Sequence, residues 1–97
     1  MRLYYQKKTY QLIEQRVKTP FAEIDLLFRT PEGHLLLVEV KTANSVAFYN
    51  YRVTAGQKER LFRAVQFLAA RFECLVELHW AFVSIEGEIT IISDISG

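Results

Sequence analysis

A chain of 97 residues with 51% hydrophobic and 24% charged side chains has the size and balance of one globular domain, residues 1–97. Four Gly and two Pro exclude collagen-like and low-complexity segments, and a single cysteine, Cys74, excludes an internal disulfide or a cysteine metal cluster. The net charge of +1 hides an asymmetry: residues 1–71 hold all 12 Lys and Arg against six acids, while residues 72–97 hold five acids and no base. Such segregation suits either a polyanion-binding face or a solvated basic helix beside an acidic strand pair. Apolar runs such as Leu35-Leu36-Leu37-Val38 fall far short of the ~20 residues that span a bilayer. Met1 to Lys8 has no apolar core of a secretory signal. The expectation is a protein of the reducing cytoplasm with no membrane association.

Residues 2–8 allow a stub of helix. Thr9 to Val17, rich in Thr, Tyr, Ile and Val, reads as a strand that Lys18-Thr19-Pro20 breaks. Phe21 to Thr30 reads as a second strand, with Ala22, Ile24, Leu26 and Phe28 on one face and Phe21, Glu23, Asp25, Leu27 and Arg29 on the other. Pro31-Glu32-Gly33 is a tight turn in which Gly33 takes positive φ. His34 to Lys41 is apolar enough to lie in the middle of a sheet. Residues 42–53 form a polar and aromatic loop containing Phe48, Tyr49, Tyr51 and Arg52. Thr54-Ala55-Gly56-Gln57 has capping-box spacing and starts a helix whose stripe is Leu61, Val65, Leu68 and Phe72. A strand from Cys74 to Ile85, a turn at Glu86-Gly87 and a return through Ile89, Ile91 and Ile92 complete an α/β order, β-β-β-α-β-β, around a mixed sheet.

The chemistry sits in the hairpin 21–41. A three-residue loop at 31–33 pairs Thr30 with His34, and the same register sets Asp25 opposite Glu39 and Glu23 opposite Lys41, all on one face. Two carboxylates facing each other across a ladder destabilise it unless a shifted pKa or a cation neutralises them. A divalent ion wants such oxygens: Asp25 and Glu39 supply two, the Val40 carbonyl a third, and Lys41 stands ready to orient water or offset phosphoryl charge. The competing reading is an ion-pair face, Glu23 with Lys41 and Asp25 with Arg29. Lys58, Arg60, Arg63 and Arg52 are candidate contacts to a nucleic-acid backbone. The loop aromatics stack unpaired bases, cap the core or meet a twin subunit.

Phe21-Ala22-Glu23-Ile24-Asp25-Leu26-Leu27, followed by Leu37-Val38-Glu39-Val40-Lys41-Thr42, resembles the core of the YraN-like family of uncharacterised proteins. That family is related to archaeal Holliday-junction resolvases and belongs to the PD-(D/E)xK nuclease superfamily. The resemblance covers residues 9–85, with Ala22 where the family has Gly and Ala43 where Arg is usual. It implies a restriction-endonuclease-like fold and metal-dependent hydrolysis of phosphodiesters in branched or otherwise structured DNA. Asp25 and Glu39 would then bind Mg²⁺, with Mn²⁺ as a substitute, and Lys41 would be the catalytic lysine. Gln57 lies near the helix glutamine of several superfamily members, although closing the capping box explains it equally. The helix-borne Glu of family members has no counterpart, because no acidic residue precedes Glu14. Two other readings stay open: a nucleic-acid-binding module without catalysis, and an assembly protein completed by a partner chain. A reduced first helix also leads to the expectation of an exposed apolar sheet face, and hence a homodimer.

Overall fold

The computed structural model of the chain describes residues 1–43 and 55–94. The expectations placed on Phe48, Tyr49, Tyr51, Arg52 and the Thr54 cap lie outside the described residues. The elements are α1 (Arg2–Gln6), β1 (Gln11–Lys18), β2 (Glu23–Arg29), β3 (Leu35–Ala43), α2 (Ala55–Phe72), β4 (Val76–Ser84) and β5 (Ile89–Asp94). One five-stranded sheet runs β1-β2-β3-β4-β5 in space. β3 and β4 are parallel, which requires a crossover, supplied by α2, and the other neighbours are antiparallel. The result is a mixed α/β architecture with one main helix, and β3 is the central strand, as its apolar run predicts. No helix among the described residues is long and apolar enough to cross a membrane.

The β2–β3 hairpin closes as its loop length dictates. Thr30 donates its N–H to the His34 carbonyl at 2.9 Å, His34 donates to Thr30 Oγ1 at 3.0 Å, and Gly33 takes a φ of 87°. The ladder runs from Arg29 opposite Leu35 to Leu26 opposite Val38, the expected register. On one face of the sheet α2 lays Leu61, Ala64 and Leu68 over Leu27, Leu35, Leu37, Leu78, Trp80 and Phe82. The stripe departs from expectation at its C-terminal end: Ala64 is buried, Val65 only partly, and Phe72 is 48% exposed. Phe72 is the last helical residue, and Glu73 after it takes a φ of 52°, so the chain leaves the sheet there.

The opposite face buries Leu26, Phe28, Leu36, Val38 and Ala81 around Tyr5, which α1 delivers. The Tyr5 hydroxyl lies 3.0 Å from His79 Nδ1. Burial pushes the Tyr5 phenol up and the His79 imidazole down, against a smaller upward pull on His79 from Glu77. A neutral phenol is therefore hydrogen-bonded to a neutral imidazole. The sheet face expected to be bare, and to drive a homodimer, is thus buried. Large exposed hydrophobic side chains lie elsewhere, among them Leu75 and, on or beside the edge strand β5, Ile85, Ile89 and Ile92.

β1 carries an irregularity that reaches the site. Arg16 takes a φ of 53°, in the left-handed region, and lies between the pairs Gln15–Leu26 and Val17–Ile24. The strands turn over at this point. Val17 and Ile24 join Leu27 in the helix-side core, whereas Leu26 and Phe28 lie in the other. The expected grouping of Ala22 and Ile24 with Leu26 and Phe28 is therefore corrected: both pack on the helix side.

Candidate functional site

The β2–β3 ladder stops at Leu26–Val38. One residue further, the register sets Asp25 against Glu39 at a non-hydrogen-bonded position, where cross-strand side chains approach most closely. Asp25 does two things there. Its Oδ2 accepts the Val40 N–H at 2.7 Å, filling a place that a regular ladder gives to a β2 carbonyl. Its carboxylate also stands close enough to the Glu39 carboxyl to perturb it. The Glu39 pKa is pushed up to about 8, first by burial, then by the hydrogen bond to Asp25 and its charge, while Lys41 and the Asp25 N–H pull it down. The raised pKa favours the protonated Glu39 carboxyl at neutral pH, which relieves its repulsion with Asp25. Within a strand a residue's N–H and C=O point to the same side, so the Val40 carbonyl faces the Asp25 end of β2.

A cavity of about 300 Å³ opens beside this pair. The sheet contributes Glu23, Glu39 and Lys41, the helix Gln57 and Arg60, and Trp80 of β4 completes the wall. Three of the four hairpin charges thus gather as the alternation predicts, and Asp25 is tied to them through Glu39. Among the described residues the competing ion pairs do not close. Arg29 instead donates to the Gly33 carbonyl at 3.4 Å, and the ion pair that forms is Glu59 with Arg63, at 3.0 Å on the helix surface. Lys58 and Arg63 line a neighbouring groove rather than the acidic cavity. Arg52 lies outside the described residues.

Two contributors escape sequence reading. Trp80 reaches the cavity because it pairs with Glu39 across the parallel β3–β4 ladder, a register with no local sequence signal. Phe21 belongs to a turn rather than to β2: Thr19 Oγ1 donates to the Ala22 carbonyl at 2.8 Å and accepts the N–H groups of Phe21 and Ala22. That turn, which Thr19-Pro20 favours, puts Phe21 on the wall of both cavities. α1 carries no acid and packs through Tyr5 on the far face of the sheet, so it brings no third carboxylate. Among the described residues no three His, Cys, Asp or Glu side chains group as metal ligands.

The described residues thus form a five-stranded mixed α/β fold with a cavity lined by Glu39 and Lys41 beside its crossover helix. The model of the uncharacterised protein family UPF0102 matches residues 1–82, and the chain belongs to that family. A UPF0102 protein of Thermus thermophilus is 35% identical over 78 residues, 78% of this chain and 69% of the relative. One from Nitrobacter winogradskyi is 37% identical over 59 residues, 61% of this chain and 49% of the relative. One from Corynebacterium efficiens is 33% identical over 55 residues, 57% of this chain and 45% of the relative. The match spans about half the length of the last two.

Proposed function

We propose that the chain is a metal-dependent phosphodiesterase of restriction-endonuclease-like fold, acting on branched or otherwise structured DNA. The observation that carries this is the Asp25–Glu39 pair beside Lys41. An exposed Asp25 beside a half-buried Glu39 whose carboxyl tends to keep its proton is a donor set that a divalent cation fits, because the cation replaces the proton and offsets both carboxylates' charge. Asp25 and Glu39 would hold Mg²⁺ or Mn²⁺, with the Val40 carbonyl as a further oxygen. When bound, such an ion supplies Lewis-acid polarisation of a phosphoryl oxygen and acidifies water. The chain's own residues do the rest. Lys41 places a cation in the same cavity, where it offsets charge that develops on the phosphoryl oxygens or orients the attacking water. Arg60, from one helical turn above, engages the phosphate, and Gln57 beside it hydrogen-bonds to the sugar-phosphate chain.

The test is cleavage of a labelled four-way DNA junction and its matching duplex, in Mg²⁺, in Mn²⁺ and in EDTA. The parent should cleave with metal only. Asp25→Asn and Lys41→Ala should each lose at least a hundredfold in rate while still binding DNA. Salt-dependent binding by the parent without cleavage would select a non-catalytic nucleic-acid-binding module instead. Neither activity would leave an assembly role.

A further inference from the structure

We propose that the groove on the outer side of α2 seats an unpaired base of the nucleic acid, next to the phosphate held at the acidic cavity. This rests on the nucleic-acid reading above and narrows its substrate to strands with an unpaired nucleotide beside the scissile bond. The groove is open, with a volume of about 900 Å³, ample for a nucleotide. Its apolar surface is aromatic: Phe21, Phe62 and Phe67. Phe21 and Phe67 meet edge to face, with centroids 6.4 Å apart, and Phe21 remains 39% exposed. Every base has a π-face, so rings of this kind accept bases without regard to sequence.

Charge selects the same occupant. Lys58 and Arg63 rim the groove, and the Lys58 ammonium lies 5.9 Å from the Phe62 ring centroid. Among the described residues Arg63 holds only the exposed pair with Glu59, a bond weak enough in water to yield to a phosphate. α2 as a whole carries Lys58, Arg60, Arg63 and Arg71 against the single acid Glu59. A polyanion with flat apolar rings matches cations set around aromatic side chains, whereas an apolar helix laid here would bury those cations.

Continuity with the acidic cavity supplies the geometry. Gln57, Arg60 and Leu61 face that cavity, while Lys58, Phe62 and Arg63 face the groove. The two sets lie on different sides of one helix, about 160° apart around its axis. Phe21 walls both. A strand with its phosphate at Arg60 and Lys41 therefore reaches the groove past Phe21, and the nucleotide next to that phosphate must be unstacked to enter.

The test is equilibrium binding in EDTA, so that it is independent of cleavage. A single-stranded oligonucleotide bearing 2-aminopurine and a duplex of the same sequence are titrated by anisotropy and fluorescence. Phe21→Leu and Phe62→Leu keep apolar volume and remove the ring; Phe21 lies in an exposed turn, so its variant carries the test should Phe62→Leu fail to fold. Expected are 2-aminopurine quenching by the parent, at least a fivefold loss of single-strand affinity in each variant, and less than a twofold change for the duplex. Unchanged single-strand affinity, or an equal loss on both substrates, would overturn the base site while leaving the phosphate contacts standing. No binding of either substrate by the parent would overturn both readings.

Discussion

Replacing Glu39 by Gln should raise the metal-free stability of the protein at alkaline pH. The Glu39 carboxyl titrates at about 8 in the folded chain, against 4.5 for the free side chain. Between these values the folded state keeps a proton that the unfolded state has released. Stability is therefore full below pH 4.5, declines as pH rises and is lost above pH 8. The whole shift would be worth about 5 kcal/mol, and solvent screening at this half-buried pair reduces it to about 1–2 kcal/mol. For a chain of this length, with an unfolding entropy of about 0.2 kcal/mol/K, that is roughly 5–10 °C in Tm. Gln donates an N–H to Asp25 at every pH, so its variant escapes the decline. Circular dichroism melts in EDTA at pH 5, 7 and 9 should show the parent losing ~5–10 °C more than Glu39→Gln. Mn²⁺ must displace the same proton, so it should raise the parent's Tm more at pH 8.5 than at pH 6, and do little for Asp25→Asn. Superimposable pH profiles for parent and Glu39→Gln would refute the proton kept by Glu39, and with it the chemical basis of the site.

Three other expectations follow from the same structure. Neutralising Lys58, Arg60 and Arg63 together should flatten the slope of log K against log salt for duplex DNA by up to ~3, about 0.9 for each lost phosphate contact; an unchanged slope would move the binding face off α2. Tyr5→Phe strips His79 of its hydrogen-bond partner and should cost about 1–2 kcal/mol in urea unfolding, where no loss would mean the bond contributes nothing. Arg16→Val places a strand-favouring residue at an exposed strand position, yet its φ of 53° should make the change destabilising by about 1–2 kcal/mol, with Arg16→Gly neutral or better. Equal melting of Arg16→Val and the parent would refute the left-handed backbone there.

What could be read from the sequence is what local rules control. Loop length and alternation set the hairpin register, so the pairing of Asp25 with Glu39 was visible before any coordinates, as was the central place of the apolar β3. The helix was visible too, but its buried stripe was displaced, because Ala64 suits a close approach to the sheet that apolar periodicity alone does not reveal. The Phe21 side chain suits a strand, yet Thr19 closes a turn around it. The basic helix residues were all marked as one contact surface. Their division between cavity and groove depends on the rotation of α2 over the sheet, and Trp80 enters only through the parallel β3–β4 register.

The least legible feature is the one that makes the site. Arg16 carries no sequence signal for a left-handed backbone, yet the reversal of β1 and β2 beside it sends Ile24 to the helix side. In a regular hairpin Ile24 would face Val40 as a hydrogen-bonded pair, its carbonyl would take the Val40 N–H, and Asp25 would stand as a bare charge against Glu39. Because β2 leaves the ladder after Leu26, the Val40 N–H turns to the Asp25 carboxylate instead. That bond fixes one carboxyl, and burial against the helix and Trp80 lets the second hold its proton. A left-handed arginine costs the fold about 1–2 kcal/mol. The strain sits one strand away from the carboxyls, and in a hairpin without that reversal the sequence pattern Asp25–Glu39–Lys41 would describe only a repulsive pair.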